Sequence, residues 1–133
     1  MSNGPVSGDG IAVTLPPGKT VFWNVTVQAA YNQYVQLNDP SGAAVFNATG
    51  ASPGGHSPTQ IGQGSFVVGG NGNYSLYVGT NGGQAWSQVL WDDMTANLGS
   101  TVMCANLNFI SEDGADQDFN DSAVSLTWFN SLG

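Results

Sequence analysis

Apolar positions in this chain recur at every second residue. In Thr20-Val21-Phe22-Trp23-Asn24-Val25-Thr26-Val27-Gln28 one parity carries Val21, Trp23, Val25 and Val27, and the other is mostly polar. A period of two belongs to a strand with one face in a core, whereas a helix repeats at 3.6. Shorter runs of the same kind occupy 11–15, 33–37, 43–46, 65–68, 74–78, 86–91, 102–110 and 122–129. Turn-forming clusters separate them, among them Asp39-Pro40-Ser41-Gly42, Gly69-Gly70-Asn71-Gly72-Asn73 and Asn81-Gly82-Gly83. About nine short strands with glycine-rich breaks predict an all-β fold, an antiparallel β-sandwich. Residues 1–10 are expected to form a flexible N-terminal arm and 11–133 a single domain, with 48–64 a low-complexity loop. The chain has no internal repeat.

Composition narrows the partners. One lysine, Lys19, and no arginine stand against nine acids, for a formal net charge of -8. Nucleic-acid binding is excluded, because neutralising phosphates needs clustered Lys and Arg, and an anionic membrane surface is excluded on the same ground. No run approaches the roughly 18 apolar residues of a membrane span, so no membrane insertion is expected. The single Cys104 cannot form an internal disulfide. The opening MSNGPVSGDG shows neither a basic n-region nor an apolar h-region. The expectation is cytoplasmic synthesis followed by action at the cell surface or outside the cell, by a route the sequence does not display. Trp23, Trp86, Trp91 and Trp128 lie within strand patterns and read as packing residues. His56 reads as a solvated loop residue, Asp92-Asp93 as a polar turn after a strand, and Asp39 before Pro40 as a turn starter.

The informative segment is Ser111-Glu112-Asp113-Gly114-Ala115-Asp116-Gln117-Asp118-Phe119-Asn120-Asp121. Five of the nine acids lie between Glu112 and Asp121, with no base among them. Repulsion among them calls for a compensating cation. Hard cations such as calcium take about six to eight oxygen ligands, mostly carboxylate and carbonyl. The spacing Asp116-x-Asp118-x-Asn120-Asp121 is like the start of a helical calcium loop, but it lacks that loop's glycine at the sixth position and is flanked by strand patterns. The acids therefore belong to a loop joining two strands.

SEDGADQDFND, followed by an alternating strand, a Trp and a terminal Leu-Gly, resembles the bacterial two-calcium lectins of the Pseudomonas fucose-binding lectin II family. The resemblance is sharp over 107–133 and weaker over 13–37, where VTLPPGKT and QAAYNQYVQL fit the first strands and the specificity loop; over 40–100 only the strand rhythm agrees. It implies a small antiparallel sandwich that binds mannose- or fucose-containing glycans directly through a pair of calcium ions. It further implies that Glu112, Asp116, Asp118 and Asp121 hold one calcium, and that Asp118, Asn120 and Asp121 hold the second, together with the terminal carboxylate of Gly133 from a neighbouring subunit and an early side-chain amide. Asp113 would hydrogen-bond the sugar without binding metal. The ungapped match puts Gln28 at the amide position where Asn is usual, with Asn24 and Asn32 as alternatives in another register. The tail after Trp128 is two residues longer than the family's. Ala29, Ala30 and Tyr31 align with the specificity loop, and the small apolar pair resembles the mannose-preferring members; Tyr31 either stacks on a sugar or packs. The family habit implies a homodimer or homotetramer.

Charge arithmetic agrees with this arrangement. Two divalent ions about 4 Å apart repel by roughly 16 kcal/mol at an effective dielectric of 20. Four side-chain carboxylates and a terminal one, five negatives against four positives, can hold them and leave a nearly neutral site. Neutral sugar hydroxyls are acceptable calcium ligands in place of water, and a vicinal pair can reach both ions. Two other functions compete: a calcium-stabilised structural or adhesive β-domain, and a glycoside hydrolase. A hydrolase needs two carboxyls with opposed pKa values facing each other across a cleft, which one crowded turn does not provide, so no enzyme activity is expected.

Overall fold

The computed structural model describes residues 3–114 and 116–132. It is all-β, with eleven strands in two antiparallel sheets. In chain order these are β1 (Asn3–Ser7), β2 (Asp9–Thr14), β3 (Thr20–Val27), β4 (Gln33–Asn38), β5 (Ala44–Gly50), β6 (Thr59–Val67), β7 (Asn73–Thr80), β8 (Ala85–Trp86), β9 (Gln88–Leu98), β10 (Thr101–Glu112) and β11 (Ser122–Phe129). One sheet runs β1-β9-β10-β11-β3-β6; the other runs β2-β7-β4-β5, with β8 continuing the β2 edge along β7.

The period of two decides which side of each strand meets the core. Val21, Val25 and Val27 on β3 are wholly buried, and so are Val35 and Leu37 on β4 and Leu76 on β7. Leu126 on β11 stands opposite Trp23, and Val124 opposite Val25, so the two strands present one continuous apolar face. Burial of each such side chain is worth about 1.5–3 kcal/mol. The Trp23 ring lies flat on Phe46 at 4.0 Å between centroids and 6° between planes, which pins the two sheets together. Within one sheet Trp91 on β9 stacks on its cross-strand neighbour Phe109 at 5.5 Å between centroids and 25° between planes, and Trp128 packs against the core.

Three expectations are corrected. Asn3–Ser7, placed in a flexible arm, forms β1 and pairs along β9, and Asp9 opens β2. The stretch 48–64, read as a loop, supplies the end of β5 and most of β6, leaving 51–58 between them. Gly62 and Gly64 sit in β6 because the Trp23 ring lies across them; a Cβ on Gly64 would come within 2.8 Å of the indole Nε1. Asp92 and Asp93, read as a turn, lie inside β9, whose outer half projects as a long hairpin with β10. Trp86 is a packing residue as read, but it packs outside the core, 38% exposed beside Tyr34 and Tyr77. Asp39 does start its turn: Oδ1 accepts from the Ser41 and Ala43 amides and the Ser41 hydroxyl, and the Ser41 hydrogen bond holds its pKa below the ordinary value.

Candidate functional site

The acidic loop is closed at its base by β10 and β11. Ser111 pairs with Ser122, the Asp121 amide donates to the Ser111 carbonyl at 3.0 Å, and the Ser122 amide donates to Ser111 Oγ at 3.0 Å. Both serines are buried, so these hydrogen bonds stay dry. Within the loop Gln117 and Phe119 take left-handed backbone angles, φ 60° and φ 50°. Such angles cost a non-glycine residue on the order of 1–2 kcal/mol each. They curl the segment back over its own start, where the Phe119 amide reaches Glu112 Oε1 at 3.1 Å.

Glu112 is the hub of the loop. It is 3% exposed at the end of β10, and its second oxygen, Oε2, accepts the Gly114 amide at 2.9 Å. Its carboxylate lies within 4.8 Å of those of Asp116 and Asp118, and within 4.8 Å of those of Asp113 and Asp121. Two carboxylate triads thus share Glu112, while Asp118 and Asp121, expected to bridge, fall in different triads. Asp113 also donates its amide to Asp121 Oδ2 at 2.8 Å.

The electrostatics of this cluster are unrelieved. Burial, with the charges of Asp113 and Glu112 adding to it, pushes the Asp121 carboxyl from 3.8 up to about 7 against the lowering effect of the Asp113 amide. Lys19 cannot help, because its ammonium donates to the Asn130 carbonyl at 2.7 Å beyond the far end of β11. His56 is exposed in the 51–58 connection.

A second segment, 28–33, approaches from β3. The Gln28 amide donates to the Asp121 carbonyl at 3.0 Å, which sets Gln28 beside the acidic loop. Asn24, by contrast, stands opposite Ser125 within β3 and is engaged by Thr26 and Gln60, and the Asn32 carbonyl accepts the Asn81 amide. Ala29 is buried and held from both sides by Ser52: the Ser52 amide donates to the Ala29 carbonyl at 2.8 Å, and Ser52 Oγ accepts the Ala29 amide and donates to the Val27 carbonyl. Ala30 is exposed against Gly55, and Tyr31 is 66% exposed, so Tyr31 is not a packing residue. Asn120 is exposed on the loop. Gly133, expected to lend its terminal carboxylate, lies outside the described residues.

Gln33 and Ser52 do not stand out in the sequence. Gln33 shares the core-facing parity of Val35 and Leu37, and a polar residue at such a position is the one signal that marks it. While Gln28 is tied to the loop through its backbone amide, the donors that the described residues gather here are carboxylate oxygens, those of Glu112, Asp113, Asp116, Asp118 and Asp121. That is the chemistry of a hard divalent cation.

The sequence model of the family described as fucose-binding lectin II (PA-IIL) matches residues 13–130. Thrombocorticin from Corticium sp. is 28% identical over 121 residues, covering 86% of this chain and 89% of that protein. A Burkholderia cenocepacia structure, the C-terminal domain of the BC2L-C lectin, superposes with a TM-score of 0.73 at 26% identity, covering 96% of this chain and 100% of that one. The Chromobacterium violaceum lectin CV2L in complex with alpha-methyl-fucoside gives 0.71 at 25% identity, covering 92% and 96%. A Ralstonia solanacearum high-affinity mannose-binding lectin shares the fold, with a TM-score of 0.73 at 24% identity over 92% and 96% of the two chains.

Proposed function

The chain belongs to the fucose-binding lectin II (PA-IIL) family and is a carbohydrate-binding lectin of that type; from that premise we propose that it binds mannose- and fucose-type monosaccharides only with calcium, and mannose more tightly. The observation that carries this reading is the base-free carboxylate cluster around the buried Glu112 and Asp121, in which one carboxyl is pushed up to about 7. A group so placed either keeps a proton or takes a cation.

The residues fit calcium. Glu112, Asp116, Asp118 and Asp121 would hold one ion, and Asp118, Asn120 and Asp121 a second, with Gln28 and Gly133 as further oxygen ligands. When bound, calcium supplies coordination positions that a neutral hydroxyl can fill in place of water. The chain's own residues do the rest. Gln33 Nε2 donates to Oδ2 of Asp113 and so holds the carboxylate that would accept a hydrogen bond from a sugar hydroxyl. Ala29, buried, and Ala30, exposed, bring no hydroxyl to this segment, which supports the mannose preference, and the exposed Tyr31 ring is free to lie against a sugar face. Among the similar lectins, one is named for mannose and another was solved with a methyl fucoside.

We read the working form as a homodimer or homotetramer acting at the cell surface or outside the cell. The β9–β10 hairpin carries Met94, Leu98, Val102 and Met103, all exposed, an apolar surface that a second copy would cover. Joined sites would raise the affinity for glycan-coated surfaces through effective concentration.

Titration with methyl mannoside and methyl fucoside, in calcium and after chelation, tests the reading. Binding of both in calcium, mannoside the tighter, and of neither after chelation is the expected result. A domain in which calcium only rigidifies the loop would lose thermal stability on chelation and bind no sugar beforehand.

A further inference from the structure

The acidic loop and the 28–32 segment meet at one side chain. Gln33 is fully buried at the start of β4, on the same parity as the core residues Val35 and Leu37. A buried amide is costly unless its donors and acceptor are used. Here they are: Nε2 donates to Asp113 Oδ2 at 2.9 Å and to the Tyr31 carbonyl at 3.2 Å, and Oε1 accepts the Ser122 hydroxyl at 3.0 Å. The partners lie 80 and 89 residues away at the two ends of the acidic loop, and two residues away in the segment that lines the approach.

We propose that Gln33 is a positioning residue that fixes the Asp113 carboxylate relative to the Tyr31 backbone and thereby sets the affinity and choice of monosaccharide; this rests on the lectin reading above. Two acceptors on one planar nitrogen are held at a fixed separation and direction, since both N–H bonds lie in the amide plane. Ser122 fixes that plane from the other side, and Ser122 is itself held by Ser111 at the base of the acidic loop. The amide also suits the charge of the site. Lys or Arg at this position would add a buried positive charge that competes with a cation for the carboxylates, and Glu would add one more anion against Asp113. Gln donates to a carboxylate and leaves the net charge unchanged. Gln33 therefore acts on sugar binding without being a ligand to metal or sugar.

The test uses the full chain with Gln33→Met, which keeps the length of the side chain and removes its hydrogen bonds. Calcium stoichiometry and calcium affinity, the latter within about threefold, are expected to match the parent, while methyl mannoside binds about tenfold or more weakly, as loss of a hydrogen bond to a charged group implies. The mannoside-to-fucoside affinity ratio is expected to change as well, which a purely structural role would not produce. A folded variant with unchanged sugar affinity and ratio overturns the proposal, and so does a variant in which calcium and sugar binding fall together. If Gln33→Met does not fold, Ser122→Ala decides: weaker mannoside binding with calcium binding retained supports the proposal, and unchanged mannoside binding overturns it. A parent chain that binds neither sugar in calcium refutes the lectin reading itself, a result distinct from all of these.

Discussion

The backbone amide of Asp113 donates to Oδ2 of Asp121 across 2.8 Å, so two acidic residues that repel each other are tied by the main chain with no base between them. The bond lowers the Asp121 pKa, but burial and the charges of Asp113 and Glu112 outweigh it and leave the carboxyl at about 7.

A pH dependence follows. A raised carboxyl pKa means that the folded, metal-free chain holds this proton more tightly than the unfolded chain does. The group therefore favours folding below its ordinary value of 3.8, and that contribution is lost as pH rises through about 7. Calcium must displace the proton, so its apparent affinity is expected to fall by up to roughly two orders of magnitude between about pH 7.5 and pH 5. Calorimetric titration at several pH values checks this, and an affinity flat over that range would contradict it.

Asp118→Ala removes a carboxylate from the Glu112–Asp116–Asp118 triad and one of the proposed ligands of both ions. Loss of mannose binding is expected, with calcium affinity lowered at least about tenfold. Asp118 is exposed, so the melting temperature of the metal-free chain should barely move. Retained mannose affinity in this variant would rule out a two-ion site that shares Asp118.

Gly64→Val places a branched side chain where a Cβ alone would stand 2.8 Å from the Trp23 indole, and that ring cannot retreat because Phe46 stacks on it at 4.0 Å. Overpacking of this kind costs about 1–3 kcal/mol. Denaturant melts should show a loss of that size, with calcium affinity of the folded fraction unchanged.

The apolar tip formed by Leu98 and Met94, 72% and 60% exposed, is expected to be covered by a second copy in solution. Light scattering in calcium should give a mass of two or four chains, and a strictly monomeric mass would remove the oligomer from the account.

The alternation in β3 makes its core positions legible from the sequence alone, because Val21, Val25 and Val27 share a parity and all face inward. The acidic loop is equally legible, since five of nine acids in ten residues is a local feature. β6 is not. Gly62 and Gly64 leave it without an apolar pattern, and its strand character depends on Trp23 from another strand. β1 has no alternation either and gains its order from pairing with β9. The exposed half of β9 faces no core, so nothing in its sequence marks Asp92-Asp93 as strand. Within the site the carboxylates are visible in the sequence, whereas Gln33 and Ser52 act through bonds that span 80 and 23 residues and exist only once the sheets have met.

A crystal structure grown or soaked with calcium and a mannoside bears most directly on how this lectin works. Metal seated among Glu112, Asp116, Asp118 and Asp121, with saccharide oxygens in direct contact with it and Asp113 on a hydroxyl, is the predicted result. A loop without metal, or metal with no saccharide oxygen touching it, would contradict the account.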